Sequence, residues 1–247
     1  MKNDTKSLLP IFGSSLIMVI LLFFIAMNSF KNGKFTCNKY ILNTYLYIIL
    51  TINIIALLCL TLEHFNVMFR FNLWQLIGLF LVLIGIIFVL HTIDPKMVVL
   101  KHTIWLLLIL ALGLITYPMY VSSEKQVVLS SMLTTIILTV FLSVVAFIKP
   151  DLISFSLGPI LLLLLIGVIV FEIAMLIIYR KNYKNVKMLF RGISYFVIFL
   201  FMGFILYDTK MLQVRAKECV NADYLLESFN IFIDILNIFV RMLSLGR

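Results

Sequence analysis

Runs of about twenty apolar residues alternate with short polar breaks along the whole chain. A helix that crosses a hydrocarbon core of about 30 Å needs about 20 such residues. Eight segments reach that length: 8–28, 41–62, 73–91, 103–121, 130–148, 153–179, 189–208 and 224–245. Each break between them carries charge or a helix breaker, such as Asp94-Pro95-Lys96 and Lys149-Pro150-Asp151. No break is long enough for a soluble domain. The pattern therefore predicts an all-α polytopic membrane protein with short connections. Pro118 and Pro159 fall inside spans and are expected to kink them.

Lys2 and Lys6 precede the first apolar run, as in a signal peptide. Its apolar stretch, Leu8 to Met27, exceeds the about 7–15 residues of a cleaved signal, so a retained signal anchor is expected. The expected division is 1–40, an N-terminal tail with this extra segment, and 41–247, a helical membrane domain.

Composition excludes the alternatives. Of 247 residues 63% are hydrophobic and 13% charged, against about 45–50% and about 25% in soluble domains. Mean hydropathy is +1.15. So few polar side chains could not cover a water-facing surface, which excludes a soluble globular fold and a nucleic-acid binder with a charged face. The net charge of +9 belongs to basic residues between apolar runs, where they anchor to anionic lipid headgroups. Membrane lipids are thus expected partners, and nucleic acid is not. The basic residues of the two sides divide ten to nine, which chooses no orientation.

Cys37, Cys59 and Cys219 are scattered and odd in number, with no Cys-x-x-Cys or Cys/His cluster. Neither a disulfide framework nor a zinc site is expected. His64, His91 and His102 lie near the ends of apolar runs and read as interfacial residues. No nucleophile-plus-base arrangement, dinucleotide fingerprint or P-loop is present, so no enzyme activity and no cofactor are expected.

The last segment carries the chemistry. Asp223, Glu227, Asn230, Asp234, Asn237 and Arg241 follow one another in steps of 4, 3, 4, 3 and 4. At about 100° per residue they share an arc of about 80° on an otherwise apolar helix. Such a stripe is expected to face protein or water, in a spanning or re-entrant helix. The seventh segment ends Tyr207-Asp208-Thr209-Lys210. A connection of about 15 residues makes the last two helices antiparallel neighbours, so Asp208 and Asp234 are expected to meet. Two carboxylates in a low-dielectric place cannot both ionise cheaply and would share a proton over some pH range. That suits a proton-sensitive cation path. Glu172 is expected to reach the interface or pair with a basic residue there. Thr134, Thr135, Thr139 and Ser143 are expected to bond their own helix carbonyls.

Tyr207-Asp208-Thr209-Lys210 and the run Asn230-Ile231-Phe232-Ile233-Asp234-Ile235-Leu236-Asn237-Ile238-Phe239 resemble the signature of the BAX-inhibitor-motif family of membrane proteins, the transmembrane BAX inhibitor and Lifeguard group. Thr134-Thr135, Phe147-Ile148-Lys149-Pro150-Asp151 and Gly158 resemble its Thr-rich helix and the following turn. The resemblance covers roughly 41–245. It implies a seven-helix bundle, here with one extra N-terminal helix, and a pH-sensing Asp208/Asp234 pair in a calcium leak path. It also implies suppression of cell death in eukaryotes or their viruses. Residence would be in Golgi, endoplasmic reticulum or plasma membranes, or in a bacterial inner membrane. Ca²⁺ would be the permeant ion. The alternative is a non-conducting regulator that acts through other membrane proteins. Lys210 stands where the family usually has Gln. Some members hold a basic partner for the pair near the end of the second family helix; Lys96 and Lys101 are the candidates here. The family topology would place the nine-charge side in the cytosol.

Overall fold

The computed structural model describes residues 4–69, 72–178 and 187–246. Eight α-helices follow in order: α1 (Asp4–Ser29), α2 (Tyr40–His64), α3 (Leu73–Thr92), α4 (Val98–Val121), α5 (Lys125–Ile148), α6 (Leu157–Ile178), α7 (Lys187–Lys217) and α8 (Tyr224–Leu245). Among the described residues seven helices are long and apolar enough to cross a membrane, and Gly78–Thr92 of α3 is a shorter apolar helix. Large side chains such as Phe141, Leu163 and Phe199 lie exposed, as expected when lipid rather than water is the solvent. The architecture is the all-α polytopic membrane fold read from the hydrophobic pattern.

Local signals set several boundaries. Phe30–Lys31 (β1) pairs antiparallel with Lys34–Phe35 (β2). The turn between them is Asn32-Gly33, both at positive φ, the pair that a tight two-residue hairpin favours. Phe30 and Phe35 stack across it with ring centroids 5.2 Å apart. Asn72 and Gln75 form a reciprocal capping box that starts α3. Pro150 opens a 3₁₀ turn, Pro150–Leu152. Pro159 sits in the first turn of α6, where its missing N–H costs nothing. Pro118 lies inside α4 near its end, and Pro10 inside α1.

Two compact units divide the chain. The first holds residues up to Ser122 together with Arg215–Phe232. In it α1 packs on α2, and α4 packs on α2 and α3. Gly113 permits the α2–α4 approach, because a Cβ there would meet Leu58 at 2.7 Å. The second unit holds Ser123–Val214 and Ile233–Arg247. There Gly203 of α7 faces Leu161 of α6, and a Cβ at Gly158 would collide with the Tyr207 ring. α8 gives its first half to one unit and its second half to the other.

Three expectations change. α7 runs on to Lys217, so Asp208 lies inside a helix and the connection to α8 shrinks to 218–223. The charges that follow Asp208 end an apolar run but have no helix-breaking chemistry, so they do not stop the helix. Cys37 and Cys219 form a disulfide across a sequence separation of 182, which corrects the expectation of no disulfide. Cys37 precedes α2 and Cys219 follows α7, and the first unit brings these two connections together. Cys59 is free and buried. His102 is also not a solvated interfacial residue: Nε2 lies 2.9 Å from the Tyr47 hydroxyl, and the ring packs against Phe30 and Phe35.

Candidate functional site

α8 positions the site. Its steps of three and four bring the polar residues to one face, and this face meets charged groups from other helices in both units. In the first unit Asp223 sits at the head of α8 and accepts from the Leu226 backbone N–H at 3.2 Å, an N-cap bond. Its other oxygen is paired with Lys101 of α4. The Lys101 ammonium, fully buried, also donates to the Ile93 carbonyl at 2.9 Å. One turn further on, Arg215 of α7 donates to both oxygens of Glu227 at 2.7 and 2.6 Å. Both contacts come from Nη1, which sits across the two oxygens of the carboxylate as a charge-assisted donor. Tyr224 closes the region, its hydroxyl accepting from the Asn43 side-chain amide at 3.1 Å.

In the second unit Asp234 lies at the middle of α8 and is only 3% exposed. Its carboxyl group lies within interaction reach of the carboxyl group of Asp208 on α7. Depth explains the meeting. Asp208 stands nine residues before the end of α7 and Asp234 ten after the start of α8. At about 1.5 Å per residue both lie about 14–15 Å from the connection that joins their helices. The two carboxyl groups therefore stand at the same level of the antiparallel pair of helices. The Oδ2 of Asp234 is buried with no protein partner.

Farther along α8, Asn237 donates to the Ile233 carbonyl of its own helix at 2.8 Å. Arg241 binds Glu172 of α6 through Nη2 at 2.8 Å and Nη1 at 2.6 Å. Glu172 thus pairs with a basic residue, and that residue is the last of the stripe. Asn230 is half-buried. Lys210 reaches the Ile153 carbonyl and lies 4.1 Å over the Phe155 ring.

Of the two candidate basic partners for the aspartate pair, Lys101 is engaged by Asp223 and Ile93. Lys96 is exposed in the loop before α4. Arg215 was not singled out in the sequence, although it lies on α7 seven residues beyond Asp208 and so on the same face. Thr135 and Thr139 bond the carbonyls of Ser131 and Thr135, as expected, whereas the Ser143 hydroxyl is buried without a partner. Arg70, Arg180, Lys181, Lys184 and Arg247, counted in the charge balance, lie outside the described residues, as does Lys2. Among the described residues no group of three or more His, Cys, Asp or Glu is placed to hold a metal ion.

No curated protein and no solved structure matches the chain. A family model does: the one described as inhibitor of apoptosis-promoting Bax1 matches residues 37–246, from the disulfide cysteine before α2 to the end of α8. With that match and seven helices able to cross a membrane, the chain belongs to this BAX-inhibitor family and is an integral multi-pass membrane protein of a type linked to inhibition of apoptosis.

Proposed function

We propose that the protein is a pH-sensitive cation leak path, with Ca²⁺ as the permeant ion, controlled by Asp208 and Asp234. The observation that carries this reading is the interacting carboxyl pair of α7 and α8, with Asp234 almost wholly buried. A carboxylate near the centre of a span costs about 2.5–3.5 kcal/mol on insertion scales, so such a residue is a functional candidate by default. A shared proton keeps the pair compact. As pH rises and that proton leaves, two negative charges face each other. The pair must then separate or admit a cation. By its family the protein would act on calcium stores in Golgi, endoplasmic reticulum or plasma membranes and so restrain cell death. A bacterial chain would act in the inner membrane. The reading involves no catalysis.

The alternative is a non-conducting regulator that binds other membrane proteins. In its favour stand the three cross-helix ion pairs of α8, which suit a rigid scaffold. Liposomes loaded with a calcium dye separate the two. Wild type is expected to leak differently at about pH 6 and about pH 8, a range over which a coupled carboxyl pair can change charge. Asp208→Asn and Asp234→Asn are expected to lose that difference. No leak from any of the three proteins at either pH would refute the channel, and an equal leak from all would refute the role of the pair.

A further inference from the structure

In the second unit the aspartate pair has hydroxyl neighbours that helix packing does not explain. Ser131, Thr135, Thr139 and Ser143 follow one another at steps of four on α5, and all are buried. Thr135 and Thr139 each donate to the carbonyl four residues back, the default for a hydroxyl in an apolar helix. Ser143 is next in the series, yet its Oγ is buried with no partner. On α7, Thr209 is wholly buried and its Oγ1 also has none. Elsewhere Thr44, Thr51 and Thr116 use the carbonyl four residues back. Asp234 Oδ2 is the third such oxygen here.

The packing sets these three near one another. α6 and α7 run antiparallel: Gly203 faces Leu161, Tyr207 lies against Gly158, and Lys210 reaches the Ile153 carbonyl. The end of α7 therefore approaches the connection between α5 and α6, and Gln213 donates to the Ala146 carbonyl at 2.9 Å. Thr209 and Ser143 each stand about one turn back from that bond, on helices that run the same way. α8 runs against them, and a Cβ at Gly246 would collide with Val127 of α5. Asp234 and Thr139 are equally far from that contact, about 18 Å along their helices. Asp234 is thus about one turn from the level of Ser143 and beside Asp208, the neighbour of Thr209.

A buried polar atom left without a partner costs free energy, and each case asks for a reason. Alanine and valine would fill nearly the same space with no oxygen to satisfy. We propose that Ser143 and Thr209 are ligands of the permeant cation once Asp208 and Asp234 part, and that their unpaired oxygens raise the free energy of the compact state. This inference rests on the channel reading above. Hydroxyl and carboxylate oxygens are the donors that a hard cation such as Ca²⁺ takes. Two hydroxyls and two carboxylates offer about four to six of its about 6–8 oxygens, and water completes the shell. Each hydroxyl can turn a lone pair to the ion and still donate its hydrogen to a helix carbonyl.

Thr209→Val and Ser143→Ala keep most of the shape and remove one oxygen each. In liposomes loaded with a calcium dye, both are expected to slow the Ca²⁺ leak several-fold, whereas Thr209→Ser keeps it. In detergent, added Ca²⁺ is expected to raise the melting temperature of wild type and Thr209→Ser, and much less that of the other two. Without Ca²⁺, Thr209→Val and Ser143→Ala are expected to melt no lower than wild type, because carbon replaces an unpaired polar atom. A clearly lower melting temperature would show that the hydroxyls hold the fold, and overturns the inference. So does a leak and a Ca²⁺ response equal to wild type in both variants; the channel reading then stands without these ligands. If wild type does not leak but Ca²⁺ still stabilises it through Thr209 and Ser143, the channel reading fails and the site stands. A wild type that neither leaks nor responds to Ca²⁺ refutes both.

Discussion

Lys101 shows what one buried charge asks of its surroundings. Its ammonium is out of contact with solvent and is held by the Asp223 carboxylate and the Ile93 carbonyl. Breaking one partner of a buried pair typically costs about 3–5 kcal/mol, because the other charge is left behind. Lys101→Met keeps most of the volume and strands Asp223, whose other oxygen caps α8. A loss of about 3 kcal/mol is expected, read as a lower melting temperature of the detergent-solubilised chain. Adding Asp223→Asn to Lys101→Met removes the stranded charge and keeps a cap, so most of the loss should return. If the double variant is no more stable than the single one, the pair contributes nothing as a pair.

At the scale of the helix, α8 repeats one motif along its length. Asp223, Glu227, Asp234 and Arg241 each meet a charged or carboxyl group supplied by another helix. Arg241→Leu is expected to destabilise by leaving Glu172 without its cation, and Arg241→Leu with Glu172→Leu to recover most of it, as for other ion pairs replaced by apolar groups. Thermal unfolding of the two variants checks this. If the single change is silent, the pair is only a surface contact. The stripe itself was legible from spacing alone, since a 3-4 rhythm in an apolar helix has one geometric meaning. Seven of the eight expected spans return as helices long and apolar enough to cross, because an apolar run of about 20 residues is itself the signal, and α8 keeps its predicted bounds. The partners were less so. Asp208 could be matched to Asp234 because a connection joins their helices, but the pairings of Lys101 with Asp223 and of Glu172 with Arg241 join residues 122 and 69 positions apart. Nothing in a linear pattern selects those. The hairpin at 30–35 was legible in principle, because Asn32-Gly33 between alternating apolar and basic residues is a turn signal.

At the scale of the whole chain, the family match begins at residue 37 and the first helix stands before it. α1 nonetheless packs along α2 and walls the apolar cavity that α2 and α4 complete. The bond between Cys37 and Cys219 has a consequence for sidedness. Thiols of the cytosol are kept reduced, and such a crosslink persists in secretory compartments, at the cell surface or in a periplasm. Cys37 follows the first helix and Cys219 the seventh, so if every helix, α3 included, crosses, an odd count puts both in the lumen or outside. That arrangement reverses the sidedness implied by the resemblance. It also leaves the start of α7, with Arg191, on the cytosolic side, where positive residues accumulate. Glycan acceptor sequences placed in 218–223 should be modified in microsomes, and those placed in 122–124 should not. The reverse pattern would mean that Cys37 and Cys219 face the reducing cytosol, where such a bond does not persist.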